Sequence, residues 1–227
     1  MDSVKLAWPK AVIFDWDNTL VDTWPVIHDA MEKTFTHYQL VPWTLDEIRT
    51  RVVHSMRDSF PKLFGEKWEE AGKLYQGFYQ SNHLNTLQVL PMSEEVLKLL
   101  QEKGVYVAVV SNKKGPTLRK EITHLGWDKY FTKIIGSGDA PNDKPHPDPV
   151  HMALEGSGIK AGKDVWFVGD TVVDLEVAKN TGCVPVLYGQ VESEVVNEQL
   201  RRYQSFDVHH HSHTHEAFLL YLRSLIG

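Results

Sequence analysis

The sequence predicts an α/β protein, a doubly wound parallel sheet carrying an all-helical cap inserted after its first strand. Three observations carry that prediction. Short, uniformly apolar runs recur along the chain, helical patterns separate them from residue 90 onward, and residues 22–88 hold helical patterns without a convincing strand. Uniformly apolar runs of β-branched and aromatic residues suit strands buried on both faces, as in a parallel sheet.

The first such run is Ala11–Phe14, followed by 105–110, 165–168 and Val184–Tyr188, with 133–135 as a weaker fifth. Between them, residues 93–103 place Val96, Leu97, Leu99 and Leu100 in one helical stripe, with Ser93 as N-cap and Gly104 just past the end. Leu118, Ile122 and Leu125 repeat at helical spacing before Gly126, Asp148-Pro149 reads as a helix start, and 175–179 reads as a helix ending near Gly182. Strands alternating with helices imply right-handed βαβ units. In the inserted segment, helices are expected near 26–38, 45–53 and 66–83, with Thr44 and Glu47 at capping-box spacing. The expected division is therefore a core of residues 1–21 and 89–227 and a helical cap of residues 22–88.

Bulk composition narrows the functions. Of 227 residues, 42% are hydrophobic and 24% charged, an ordinary globular balance. A net charge of −6 offers no footprint for nucleic acid or an anionic membrane, though a local basic pocket for a small anion is compatible with it. The single cysteine, Cys183, cannot form an internal disulfide and reads as a core residue. No apolar run approaches the ~20 residues that span a bilayer, and the first ten residues lack the apolar stretch of a secretory signal. A cytoplasmic protein, monomer or homodimer, is the expectation.

Three of the apolar runs end in a polar residue, namely Asp15, Ser111 and Asp170. Ligands of open α/β sheets bind beyond the carboxyl ends of the strands, so these three should converge. Asp15 and Asp17 lie on one side of an extended chain, and two such close carboxylates require a compensating cation. With Asp170 or Asp174 they would make an oxygen-rich site suited to Mg²⁺. Read alone, the Asp15–Thr19 stretch is equally a capped turn. Ser111 and Asn112 are either an N-cap pair or a phosphate site. Lys144, in a proline-rich run, is either a solvated charge or an anion ligand, and the acids in the 169–174 stretch also suit a helix start.

Taken in order, DWDNT at 15–19, Ser111-Asn112, Lys144 in KPHPDP and GDTVVD at 169–174 resemble the haloacid dehalogenase superfamily, specifically its phosphoglycolate-phosphatase-like branch. The resemblance implies a phosphatase acting on a small phosphorylated metabolite with Mg²⁺ as cofactor. It makes Asp15 the nucleophile forming an aspartyl-phosphate and Asp17 the acid/base, whose backbone carbonyl also binds the metal. Asp15 and Asp170 would be side-chain metal ligands, with Asp174 a ligand or a neighbour of one. Thr19, Ser111, Asn112 and Lys144 would meet the phosphoryl group, and Thr19 would also order the nucleophile loop. A sugar-phosphate phosphomutase shares this chemistry, and a non-catalytic phosphate-binding protein shares the fold. Asn18 stands where many relatives carry glycine. Arg49, Arg51 and His54 are either substrate contacts or parts of a solvated helix face. The run 209–215, rich in histidine, reads as a surface loop, and Trp24, Trp43 and Trp68 as cap packing residues.

Overall fold

In the computed structural model, the described residues are 6–52, 55–189, 206 and 208–226. Among these residues the sheet has six strands: β1 (Ala11–Phe14), β4 (Tyr106–Lys114), β5 (Lys133–Ser137), β6 (Val165–Gly169), β7 (Val184–Tyr188) and β8 (His210–Ser212). They lie in the order β5-β4-β1-β6-β7-β8, all paired in parallel. The chain moves outward on one side of β1 through β4 and β5, then returns to its other side with β6. Strand order therefore reverses beside β1, the place where such sheets bind ligands.

Alternation along β1 sends Val12 and Phe14 to one face and Ala11 and Ile13 to the other. The first face is covered by α5 (Ser93–Glu102), α6 (Gly115–His124) and α9 (His215–Ile226), through Leu97, Leu118, Ile122 and Phe218. The second is covered by α7 (Asp148–Leu154) and α8 (Val172–Thr181), through Val150, Ala153, Val177 and Ala178. Helices on both faces make the sheet doubly wound. Gly182 ends α8 at φ +70°, a backbone conformation that suits glycine.

The described residues of the insertion form four α-helices: α1 (Trp24–His37), α2 (Leu45–Arg51), α3 (Met56–Phe64) and α4 (Trp68–Thr86). They bury a separate apolar cluster that includes Ile27, Met31, Phe35, Ile48, Phe60 and Tyr75. The Thr44–Glu47 capping box is present in both directions, at 3.0 and 3.2 Å. Helix α3 has no counterpart in the sequence pattern, because it is short, contains Pro61 and buries one side chain, Phe60, completely enough to count as core. The chain enters and leaves the insertion through a two-stranded antiparallel ribbon of β2 (Val21–Asp22) and β3 (Gln88–Val89).

Two further expectations are corrected. The histidine run is not a surface loop: residues 210–212 form the sixth strand. His210 stacks on Tyr221 at 3.6 Å and His211 Nε2 meets the Gly189 carbonyl at 2.8 Å. Ser93 does not cap α5. Met92 takes the cap position at φ 64°, and the Ser93 hydroxyl donates to Leu90 O.

Candidate active site

The carboxyl ends of β1, β4 and β6 open into one cleft, lined from the core by Asp15, Asp17, Ser111, Asn112, Lys144 and Asp170. Six of the eight residues read from the motifs thus meet at one surface. The other two, Thr19 and Asp174, stand behind it. Thr19 is fully buried, and its hydroxyl donates to Asp170 Oδ1 at 3.0 Å. It supports a carboxylate of the site and does not line the cleft. Asp174 is also buried, its Oδ2 accepting from the Thr171 hydroxyl and backbone N–H at 2.7 and 3.0 Å.

Asp15, Asp170 and Asp174 each bring an oxygen to within 4.8 Å of the others. Among the described residues this is the one group of at least three histidine, cysteine or carboxylate side chains gathered closely enough to share an ion. Lys144 Nζ reaches Asp174 Oδ1 at 2.7 Å and Asp15 Oδ1 at 2.9 Å. The second contact lacks hydrogen-bond alignment, so Asp15 Oδ1 is a buried oxygen without a hydrogen-bond donor. Three carboxylates against one ammonium leave an uncompensated charge of about −2 when all are ionised. A hard, oxygen-only set with one orphaned oxygen fits a divalent metal ion.

The electrostatics carry the same message. Burial pushes the Asp15 carboxyl up to about 6, helped by Asp174 and Asp17 and opposed by Lys144. Burial, then Asp174 and Asp15, hold Asp170 well above the usual carboxylate range. Burial would lower the Lys144 ammonium, but Asp15 and Asp174 outweigh it and hold that group above its ordinary value. Gly169 allows this crowding: a Cβ there would overlap the Asp174 carboxylate.

Asn112 is tied to the lysine. Its Oδ1 accepts from Lys144 N at 3.0 Å and its Nδ2 donates to Lys144 O at 3.1 Å, fixing the loop that delivers the ammonium. Asn18 sits at φ 58°, a left-handed position that asparagine tolerates better than most residues, and its Oδ1 accepts from Thr23 N at 3.1 Å. This accounts for both asparagine and glycine suiting the position.

The cap side of the cleft is built by Trp24, Ile27, Val52, Ser55, Met56, Tyr75, Gln76 and Tyr79. Trp24 therefore faces the cleft as well as packing, while Trp43 packs edge-on to Phe35 at 4.8 Å. Arg51 pairs with Glu47 at 2.9 Å and Arg49 with Asp46 at 3.7 Å on α2 itself, and neither lines the cleft. His54 lies outside the described residues.

Sequence reasoning missed Lys113. Its ammonium lies 2.5 Å from Asp17 Oδ1 and 2.6 Å from Glu121 Oε2. Glu121 has no exposed surface. The signal was available: Glu121 follows Leu118 by three and precedes Ile122 by one, an acid on a helix face that must be buried.

A parallel, doubly wound sheet with carboxylates and a lysine gathered at its switch point defines a class of α/β hydrolytic enzymes with a helical insertion. The chain belongs to the haloacid dehalogenase-like hydrolases, whose family pattern matches residues 12–187. It is 30% identical over 198 residues to a phosphoglycolate phosphatase of Aquifex aeolicus, covering 85% of this chain and 92% of that one. It is 29% identical over 180 residues to the pyrophosphatase PpaX of Halalkalibacterium halodurans, covering 79% and 83%. Among solved structures, a HAD-superfamily hydrolase from Ehrlichia chaffeensis is 31% identical with a TM-score of 0.66, covering 98% of this chain and all of that one. A haloacid dehalogenase-like hydrolase from Streptococcus pneumoniae shares the fold at a TM-score of 0.78 and 23% identity, covering 97% and 99%. Among the described residues, no helix is long and apolar enough to cross a membrane.

Proposed function

We propose that the protein is a Mg²⁺-dependent phosphatase that hydrolyses a small phosphate monoester through an aspartyl-phosphate on Asp15. The observation that carries this reading is the Asp15 carboxylate at the cleft, beside the Lys144 ammonium at 2.9 Å and within 4.8 Å of two further carboxylates. The relatives named phosphoglycolate phosphatase support a substrate of that size.

Asp15 attacks phosphorus, and the bond from phosphorus to the substrate's bridging oxygen breaks. Asp17 gives that oxygen its proton, then takes one from the water that attacks the aspartyl-phosphate. The Asp15–phosphorus bond breaks in turn, releasing phosphate and restoring the carboxylate. Ser111, Asn112 and Lys144 bind the phosphoryl oxygens, where hydrogen bonds and positive charge are worth most. The side chains of Asp15 and Asp170 and the carbonyl of Asp17 would hold Mg²⁺, with Asp174 binding it directly or through water and Thr19 holding Asp170. When bound, Mg²⁺ supplies positive charge that keeps Asp15 ionised and neutralises the transferring group.

Residues 1–21 and 89–227 serve as the core and 22–88 as the cap that chooses the leaving group. The β2–β3 ribbon at the crossing and the cleft positions of Trp24, Ile27, Met56 and Tyr75 support that division.

A panel of metabolite phosphates, including phosphoglycolate and pyrophosphate, assayed with Mg²⁺ and with EDTA tests the reading. Turnover of at least one alkyl phosphate, lost in EDTA, is the expected result. Asp15→Asn should fold normally and show no turnover; a near-wild-type rate would remove Asp15 from the nucleophile's role.

A further inference from the structure

At the wall of the cleft a buried polar cluster joins Trp16 and Asp17 of the first motif to Tyr79, His83, Lys113 and Glu121, which the four motifs do not contain. Lys113 sits at its centre, with a side chain 6% exposed. Its three N–H groups reach Asp17 Oδ1 at 2.5 Å, Glu121 Oε2 at 2.6 Å and the Tyr79 hydroxyl oxygen at 2.7 Å. Glu121 accepts in addition from Trp16 Nε1 at 2.7 Å, the Tyr79 hydroxyl at 3.0 Å and His83 Nδ1 at 2.8 Å. Both oxygens of this carboxylate thus have two donors each, and both ends of the Lys113–Glu121 contact are saturated.

The two carboxylates on Lys113 are not equivalent. The Glu121 side chain is 0% exposed, held by donors from β1's trailing loop and from α4, whereas the Asp17 side chain is 21% exposed and faces the cleft. Glu121 is the fixed end and Asp17 the free end. A lysine with only Asp17 as partner would follow that side chain wherever it turned; one anchored on a buried glutamate stays in place. Tyr79 and His83 come from the inserted segment and Glu121 from the core, so the seating of α4 on α6 is part of the same anchor.

We propose that Lys113, anchored by Glu121, is a positioning residue that holds Asp17 Oδ1 so that Oδ2 is presented to the leaving oxygen of the substrate. This rests on the phosphatase reading above and deepens it. Burial works against the ammonium, and the charges of Asp17 and Glu121 outweigh it and hold the group above its ordinary value. Lys113 does not touch the reacting atoms; it acts through Asp17.

Acid catalysis matters only where the leaving group is poor, which separates this role from phosphate binding. The test compares kcat/KM for p-nitrophenyl phosphate with kcat/KM for the best alkyl phosphate of the panel, in wild type, Lys113→Met, Glu121→Gln and Asp17→Asn. That parameter reports the phosphorylation step and not the later hydrolysis. General acid catalysis contributes ~10²–10⁴-fold, so Lys113→Met should lose at least about tenfold more rate on the alkyl ester than on the nitrophenyl ester. Glu121→Gln should shift the ratio the same way by less, and Lys113→Met added to Asp17→Asn should shift it no further. Equal loss on both esters would overturn the proposal and make Lys113 a phosphate ligand. If Lys113→Met does not fold by circular dichroism, Glu121→Gln decides: an unchanged ratio overturns the proposal. Wild-type protein inactive on both esters would instead sink the phosphatase reading, and the proposal with it.

Discussion

Adding Mg²⁺ should stabilise the folded protein, and the gain should grow with pH. The buried Asp15 carboxyl is pushed up to about 6 from its ordinary 3.8, with burial as the largest cause. A carboxyl raised in the folded state contributes stability that is present below 3.8 and lost as pH rises through about 6. The difference corresponds to roughly 3 kcal/mol for Asp15 alone, before the repulsion from Asp170 is included. Without metal, stability should therefore fall between about pH 4 and 6 from this group's contribution. A cation held by the three carboxylates removes the penalty. At 100 times its Kd a ligand adds ~2.7 kcal/mol, and a chain of this size gains ~2–4 °C in Tm per kcal/mol. The expected rise is thus about 5–10 °C at pH 7.5. Differential scanning calorimetry with MgCl₂, against NaCl at matched ionic strength, from pH 4.5 to 7.5, measures it. The reasoning fails if Mg²⁺ gives no rise at pH 7.5, or if Asp170→Asn keeps the full rise.

Further outcomes follow from single contacts. Gly169→Ala drives a Cβ into the Asp174 carboxylate and should lower kcat/KM by ~10–100-fold, the usual effect of displacing a group that orients a metal site, with little change in fold by circular dichroism. Gly136→Ala places a Cβ 2.7 Å from both Gly115 N and Lys113 O, with no flexible side chain to yield, and should cost at least about 1–3 kcal/mol in urea unfolding. Trp16→Phe removes one of four donors to buried Glu121 and should cost ~1–3 kcal/mol in the same assay. Burial pushes Glu121 up, but Lys113 and the hydrogen bonds from His83, Lys113 and Trp16 prevail and take it down to about 2. A lowered carboxyl contributes stability above its ordinary 4.5 that is lost as pH falls toward 2. The stability gap between wild type and Glu121→Gln should therefore close over that window; a gap constant from pH 7 to 2 would refute the assignment.

The sequence by itself determined the alternation of strands and helices and the residues that meet at the cleft. Both are local in the chain. Val12 and Phe14 point one way and Ile13 the other because a strand alternates, and Asp15, Ser111 and Asp170 converge because parallel strands share one carboxyl edge. Even Lys133–Ser137, a weak run, declared itself through its apolar pair before Gly136. Only the tertiary structure decided which of those polar residues reach into the cleft and which stand behind it. Thr19 and Asp174 each spend a polar atom on a distant group, the Asp170 carboxylate and the Lys144 ammonium, and nothing in the flanking residues specifies that choice. Strand β8 was hidden because His210 packs by stacking on Phe218 and Tyr221 of α9 and His211 bonds to the Gly189 carbonyl, not by an apolar pattern. Lys113 pairs with Asp17 across 96 positions, and Trp16 with Glu121 across 105. Periodicity reports which face of an element is buried; it carries no information on which buried charge will find which partner. That pairing is settled by the fold, and with it the setting in which Asp17 works.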